Sequence, residues 1–284
     1  MPLKTNHLKP LARPLLLDSV PGAAAAYSLR QLSNAYTGPV VTVRRSSDDA
    51  EEDFKASEID DGTLTAFCGA GDGLVKTWHD QSGSGNDASQ GTAAAQPKIV
   101  DSGTLVTEGG KAALRFDGTD DFVATSSSLP ATNDFFATLV VSGLSSAINL
   151  ERGFLAIDNN TGSGYQTGWW LERSTYAVGA NISTYIVNDS LASPTGSLPL
   201  SGFPQTVISQ ERVVGIASRI YTNAVLVAEE TAASNQRDAV IPSNKLYVGD
   251  TLQKHIGTIS EVLFYQRNMT AFRQLVEGNL AWYY

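Results

Sequence analysis

The sequence predicts an all-β fold: an antiparallel β-sandwich of two sheets with a few short helices. About ten short segments rich in Val, Ile, Phe, Tyr and Thr are punctuated by clusters of Gly, Asn, Asp and Ser, which is strand and turn chemistry. That many strands exceed one open sheet and suit two packed ones. Helix-forming runs do not alternate with the strands, so a parallel βαβ sheet fits poorly. No fixed-period repeat and no long linker divides the 284 residues, which are within reach of a single large β domain.

The elements follow in order. Residues 1–21 carry Pro2, Pro10, Pro14 and Pro21 and read as an extended N-terminal arm, since proline removes a donor and restricts its predecessor. Leu15, Leu16 and Leu17 are its candidate assembly contacts, offered to a neighbouring surface. Residues 22–284 read as the sandwich domain. Within it the alanine-rich run Ala23 to Leu32 predicts a short helix. A second helix is expected after Asp60 and Asp61, with Leu64, Phe67 and Cys68 on one face. A third is expected from Thr270 as N-cap through Phe272, Leu275, Val276 and Leu280, with Trp282, Tyr283 and Tyr284 packing back on the body. Predicted strands are Val40 to Arg44, Leu74 to Trp78, Ala113 to Phe116, Phe136 to Val141, Gly153 to Ile157, Gln205 to Ser209, Val213 to Ala217, Ile220 to Ala228, Leu246 to Val248 and Ile256 to Tyr265. The acidic stretch Asp48 to Asp53 reads as a solvated helix start or loop.

Composition narrows the partners. A net charge of -9 argues against nucleic acid, whose binding rests on clustered Lys and Arg. Cys68 is the single cysteine, so stability has to come from packing, and the residue reads as a small core side chain. The apolar run Leu15 to Leu17 is too short for a signal-peptide core, so no Sec export is expected. No stretch approaches the roughly 20 apolar residues that span a bilayer, and no membrane insertion is expected.

Three local patterns stand out. Trp78 to Asp87 (WHDQSGSGND) reads as a strand end running into a hydrogen-bonded turn that satisfies loop backbone beside a core aromatic. In Phe116 to Phe122 an acidic turn offers Asp117, Asp120 and Asp121 as hard oxygen ligands for Ca²⁺, the only cofactor considered; a solvated turn is the plainer reading. Ile220 to Val227 reads as a hairpin with Asn223 at its bend.

With Ala26 to Arg30, Ala35 to Gly38, Val43 to Asp48, the Trp78 to Asp87 loop and Phe116 to Gly118, these patterns resemble the concanavalin A-like, laminin-G-like superfamily and its jelly roll. More narrowly, Gly22 to Val123 resembles the catalytic domain of fungal α-L-arabinofuranosidases and the phage and bacterial proteins built on that pattern. The narrower resemblance implies two catalytic carboxylates. Asp250, in Val248-Gly249-Asp250, is the counterpart of an acid/base aspartate that follows a glycine. The nucleophilic glutamate is sought at Ile157 to Thr161, which holds no Glu; Asp158 and Glu172 are substitutes that read more simply as strand-end charges. A retaining glycosidase needs both groups, so hydrolysis is the second alternative. A glycan-binding adhesin module is the first alternative, with Tyr165, Trp169 and Trp170 as the stacking platform. The favoured expectation is non-enzymatic. Pro21 to Ser28 after a proline-bearing arm resembles tailed-phage proteins and implies a virion structural protein, a capsid decoration or tail component made in the host cytoplasm. Its expected partners are other virion proteins, further copies of itself as a trimer, and a host surface glycan.

Overall fold

Residues Phe135 to Val141 show how the chain is layered. Phe135, Ala137, Leu139 and Val141 belong to the main core, whereas Phe136 and Val140 belong to a second apolar cluster. Side chains alternate along a strand, so a strand apolar on both faces must be covered on both.

The computed structural model describes residues 14–142, 152–158, 168–174, 181–187, 196–197, 205–231, 243–249 and 254–284. Its helices are α1 (Leu16–Ser19), α2 (Ala56–Asp60), α3 (Thr63–Cys68) and α4 (Arg273–Tyr283). The strands of the first half are β1 (Ala25–Ser28), β2 (Val41–Arg45), β3 (Glu51–Phe54), β4 (Gly73–Trp78), β5 (Ala88–Ser89), β6 (Lys98–Asp101), β7 (Thr104–Leu105), β8 (Thr107–Glu108), β9 (Lys111–Ala112), β10 (Leu114–Asp117), β11 (Val123–Thr125) and β12 (Phe135–Val141). Those of the second half are β13 (Arg152–Asp158), β14 (Gly168–Ser174), β15 (Asn181–Val187), β16 (Gly196–Ser197), β17 (Thr206–Val213), β18 (Ala217–Thr222), β19 (Val225–Glu230), β20 (Lys245–Val248) and β21 (Ile256–Tyr265).

The strands pair antiparallel in two layers. In one, β21 is central: β10 and β1 lie end to end along one side of it, and β12, β17, β18 and β19 follow in order on the other. The other layer runs β3-β2-β4-β5-β11-β20-β13-β14-β15-β16. Strand β6 pairs with both β4 and β10 and joins the layers along one side. The main core lies between them, with Phe135, Leu139, Ile208 and Phe264 from one layer meeting Val75, Trp78, Leu155, Trp169 and Val248 from the other. This is the antiparallel two-sheet sandwich expected from the sequence.

The outer face of the β21 layer is covered by both ends of the described chain. Leu16, Leu17 and Val20 from the N-terminal side and Met269, Val276 and Leu280 around α4 pack on Phe136, Val140, Leu263 and Tyr265. A buried ion pair ties the same region together: Arg30 donates to both carboxylate oxygens of Glu261 (2.7 and 2.9 Å) and to Asn279 Oδ1 of α4 (2.8 Å). Satisfaction of both partners matters more here than net attraction, because an unpaired buried charge costs several kcal/mol.

Several expectations are corrected. Ala23 to Leu32 is not a helix: Ala25–Ser28 is a strand buried along its whole length and paired with β21. Tertiary pairing overrides the helix propensity of alanine. The segment expected as an extended arm is helical at Leu16–Ser19, and Leu16 and Leu17 are buried against the domain's own sheet, with Leu15 partly covered; they are not offered to a neighbour. Residues 1–13 lie outside the described residues. Thr270 is not the N-cap of α4, which starts after Phe272; its hydroxyl donates to Glu211 (2.6 Å). Tyr284 packs back, bonding Ser260 O (3.2 Å), but Trp282 is 67% exposed. Glu51 to Phe54, read as loop or helix start, is β3, and Val213 to Ala217 is the turn between β17 and β18. Strand β15 was not foreseen, and β14 was foreseen only as the strand end carrying Glu172.

Candidate active site

The site is built from the bottom of the β20-β13-β14 ladder. Val248 pairs with Leu155 and Leu246 with Ile157, while on the other side of β13 Gly153 pairs with Glu172 and Leu155 with Leu171. The register slips between Gly153 and Leu155, a β-bulge at Phe154 that interrupts the ladder at this end. Gly249 continues from β20 at φ +88° and donates its N–H to Phe154 O (3.0 Å). A Cβ at Gly249 would lie 2.6 Å from the Phe116 ring and 3.1 Å from Asp121 O, so both conformation and space demand glycine. His255 closes the region from the far side: its N–H bonds Gly249 O (3.1 Å), and its buried ring meets the rings of Phe116 and Phe154 at 5.7 and 5.4 Å. Asp250, the next residue after Gly249, lies outside the described residues, as does Tyr165.

The tryptophans divide as alternation requires. Trp169 enters the main core and donates its indole N–H to Gln210 (2.7 Å). Trp170 faces the other way, into a small cluster with Ala124, Ala156 and Tyr247. Both are 0% exposed, so neither presents a ring to solvent, and the stacking platform expected from the sequence is not formed by them. Phe122 packs on that cluster, with Lys254 Nζ 4.5 Å from its ring centre.

Beside Gly249 stands the acidic turn. Asp117, Asp120 and Asp121 each place a carboxylate oxygen within 4.8 Å of the others. Asp117 Oδ1 accepts the N–H of Thr119 (2.7 Å), and Asp121 Oδ2 accepts the N–H of Asp117 (2.9 Å). Burial pushes the Asp121 carboxyl up to about 6; the Asp117 N–H opposes that rise and the neighbouring charges of Asp117 and Asp120 add to it. A cavity of about 330 Å³ opens next to the turn, lined by Leu74, Gln96, Lys98, Arg115, Asp117 and Asp121 among others.

The Trp78 to Asp87 loop is a structural lock. Asp80 accepts from Ala26 N, Ser82 N, Ser82 Oγ and Asn86 N at 2.7–3.0 Å, while Gln81 bonds Leu32 N, Ser28 O and Arg30 O. Its polar groups are consumed in holding β1 and the segment after it. Cys68 is buried and its thiol is raised to about 11 by that burial, which keeps it protonated and poor as a nucleophile.

Of the two substitutes that the sequence offered for the missing glutamate, Asp158 ends β13 opposite Gly168, whereas Glu172 lies in β14 level with Gly153, at the end of β13 that Gly249 reaches.

A family model described as Alpha-L-arabinofuranosidase B, catalytic, matches residues 17–122, a stretch that holds neither Glu172 nor Asp250. No curated protein matches the chain. Among solved structures it is similar to an arabinofuranosidase complexed with arabinofuranosyl-α-1,2-xylobiose, to a GH54 α-L-arabinofuranosidase soaked with a cyclic sulfate inhibitor, and to a glutamate-to-glutamine variant of a GH54 enzyme soaked with 4-nitrophenyl α-L-arabinofuranoside. Each has a TM-score of 0.68 at 16–17% identity, covering 93% of this chain. The chain spans 64% of the length of these structures. The family match overturns the assignment to a concanavalin A-like phage structural protein, and with it the non-enzymatic virion reading. Its sandwich is the fold that these arabinofuranosidase structures share.

Proposed function

We propose that the chain is the catalytic domain of an arabinofuranosidase-like glycoside hydrolase, with Glu172 as nucleophile and Asp250 as acid/base. The observation that carries this is the convergence of two segments on one end of β13: Glu172 pairs with Gly153, and Gly249, the covalent neighbour of Asp250, bonds the carbonyl of Phe154. Two carboxyl groups flanking a glycosidic bond are the minimum this chemistry needs. Asp250 donates a proton to the leaving-group oxygen as the glycosidic C–O bond breaks, and Glu172 attacks the anomeric carbon. Water, deprotonated by Asp250, then displaces Glu172 from the anomeric carbon, which releases the sugar, returns Glu172 as a carboxylate and leaves Asp250 protonated for the next cycle.

The family-model match and the fold support the substrate class, an α-L-arabinofuranoside. The test is hydrolysis of 4-nitrophenyl α-L-arabinofuranoside by the parent chain and by Glu172→Gln and Asp250→Asn, with circular dichroism to establish folding. Each variant is expected to lose on the order of 10²–10⁴ in kcat. Folded variants as active as the parent contradict the assignment.

A further inference from the structure

The acidic turn has a neighbour that neither packing nor the proposed hydrolysis uses. Gln96 is 2% exposed, and its side-chain amide is oriented by donation from Nε2 to Gln90 O (2.6 Å). That bond assigns the two ends of the amide, because a carbonyl accepts only from the nitrogen. Gln96 Oε1 is left buried with no hydrogen-bond partner among the described residues, and Gln96 lines the same cavity as Asp117 and Asp121. The two segments are fastened together where they meet, Phe122 N–H donating to Ala95 O (3.2 Å). An unsatisfied buried acceptor is destabilising, and a ligand in the cavity offsets that cost.

We propose that Gln96 and the turn Asp117-Asp120-Asp121 bind a calcium ion that stiffens the wall behind Gly249. The donor set is all oxygen, three carboxylates and one amide carbonyl, which suits a hard cation taking six to eight oxygens at about 2.3–2.6 Å with water completing the shell. Ligand atoms on one such ion lie no more than about 5 Å apart, and the three carboxylates fall within 4.8 Å of one another. The two cationic residues lining the cavity are already engaged: Lys98 pairs with Asp72 (2.8 Å) and Asp101 (3.2 Å), and Arg115 pairs with Asp101 (2.6 Å). The ion's effect reaches the active site through the Asp121 backbone, which abuts Gly249.

The experiment is thermal unfolding of the EDTA-treated chain across a calcium chloride titration at constant ionic strength, with calorimetric titration in parallel, for the parent and Asp120→Asn. Asp120 is exposed, so its replacement leaves the fold in place. The expected result is a saturable rise in Tm, one calorimetric site, and an affinity weakened at least about tenfold in the variant. No calcium-dependent response up to about 10 mM, above the roughly 10⁻⁴–10⁻³ M range of weak extracellular sites, overturns the proposal. So does a response that Asp120→Asn leaves unchanged.

Discussion

Asp87 shows how the polar loop after Trp78 is fixed. Its Oδ1 accepts the N–H of Asp80 (2.8 Å) and its Oδ2 meets His79 Nδ1 (3.2 Å). The His79 hydrogen bond, more than the Asp80 N–H, holds its carboxyl below the usual range, against partial burial. A carboxylate with a depressed folded-state pKa contributes stability that is full above its unfolded pKa of about 3.9 and is lost as pH falls through the lower, folded value. Asp87→Asn is therefore expected to cost about 0.5–1 kcal/mol at pH 7, discounted for its solvent exposure. Denaturant melts should show the gap closing as pH falls below about 4; a gap that is constant with pH contradicts the assignment. The sequence made this loop legible because Asp, Gln and Asn beside a core Trp have an obvious task. The role proposed for Glu172 was harder to read, because it depends on the segment across β13 and not on neighbours along the chain.

Elements were legible where one periodicity dominated. Strand β21 was read at both ends because apolar residues run from Ile256 to Tyr265, even though an extra residue between Ile259 and Glu261, opposite Val140/Val141, shifts the side chains that face the core. Helix α3 was found from its acidic lead and the Leu64 to Cys68 face. Strand β1 was missed because four small or aromatic residues, all buried, carry no alternation to oppose the helix propensity of the alanines. Strand β14 was not delimited because Trp169-Trp170-Leu171 gives way to Glu172-Arg173-Ser174, and neither period survives over seven residues. The α1 turn was read as free arm, yet it seats two leucines on the β21 layer. Leu16→Ala is expected to destabilise the chain by about 2–5 kcal/mol, as a cavity in a packed core does. A melting temperature indistinguishable from the parent's would return the segment to the status of a loose tail.

At the scale of the whole molecule, the sandwich and the site make different demands on the chain. The β21 layer is sealed on its outer face by α1 and α4, with Arg30, Glu261 and Asn279 binding the two ends of the sequence together. At one end of β13 in the other layer the ladder is broken by a bulge, with a left-handed glycine and an acidic turn beside it. Irregular backbone is tolerated at positions where a sheet must deliver side chains to a substrate. The proposed function places the chemistry at this interrupted end of β13, and it rests on Glu172 as the group that attacks. The most direct measurement is peptide mapping by mass spectrometry after incubating the chain with an arabinofuranose-configured cyclic sulfate. A carboxylate nucleophile opens the ring, forming an ester to carbon as the C–O bond to sulfate breaks, and the sulfate stays on the sugar. A single adduct on the peptide containing Glu172, absent from Glu172→Gln, is the expected result. No adduct, or one carried by another carboxylate, contradicts the assignment of Glu172.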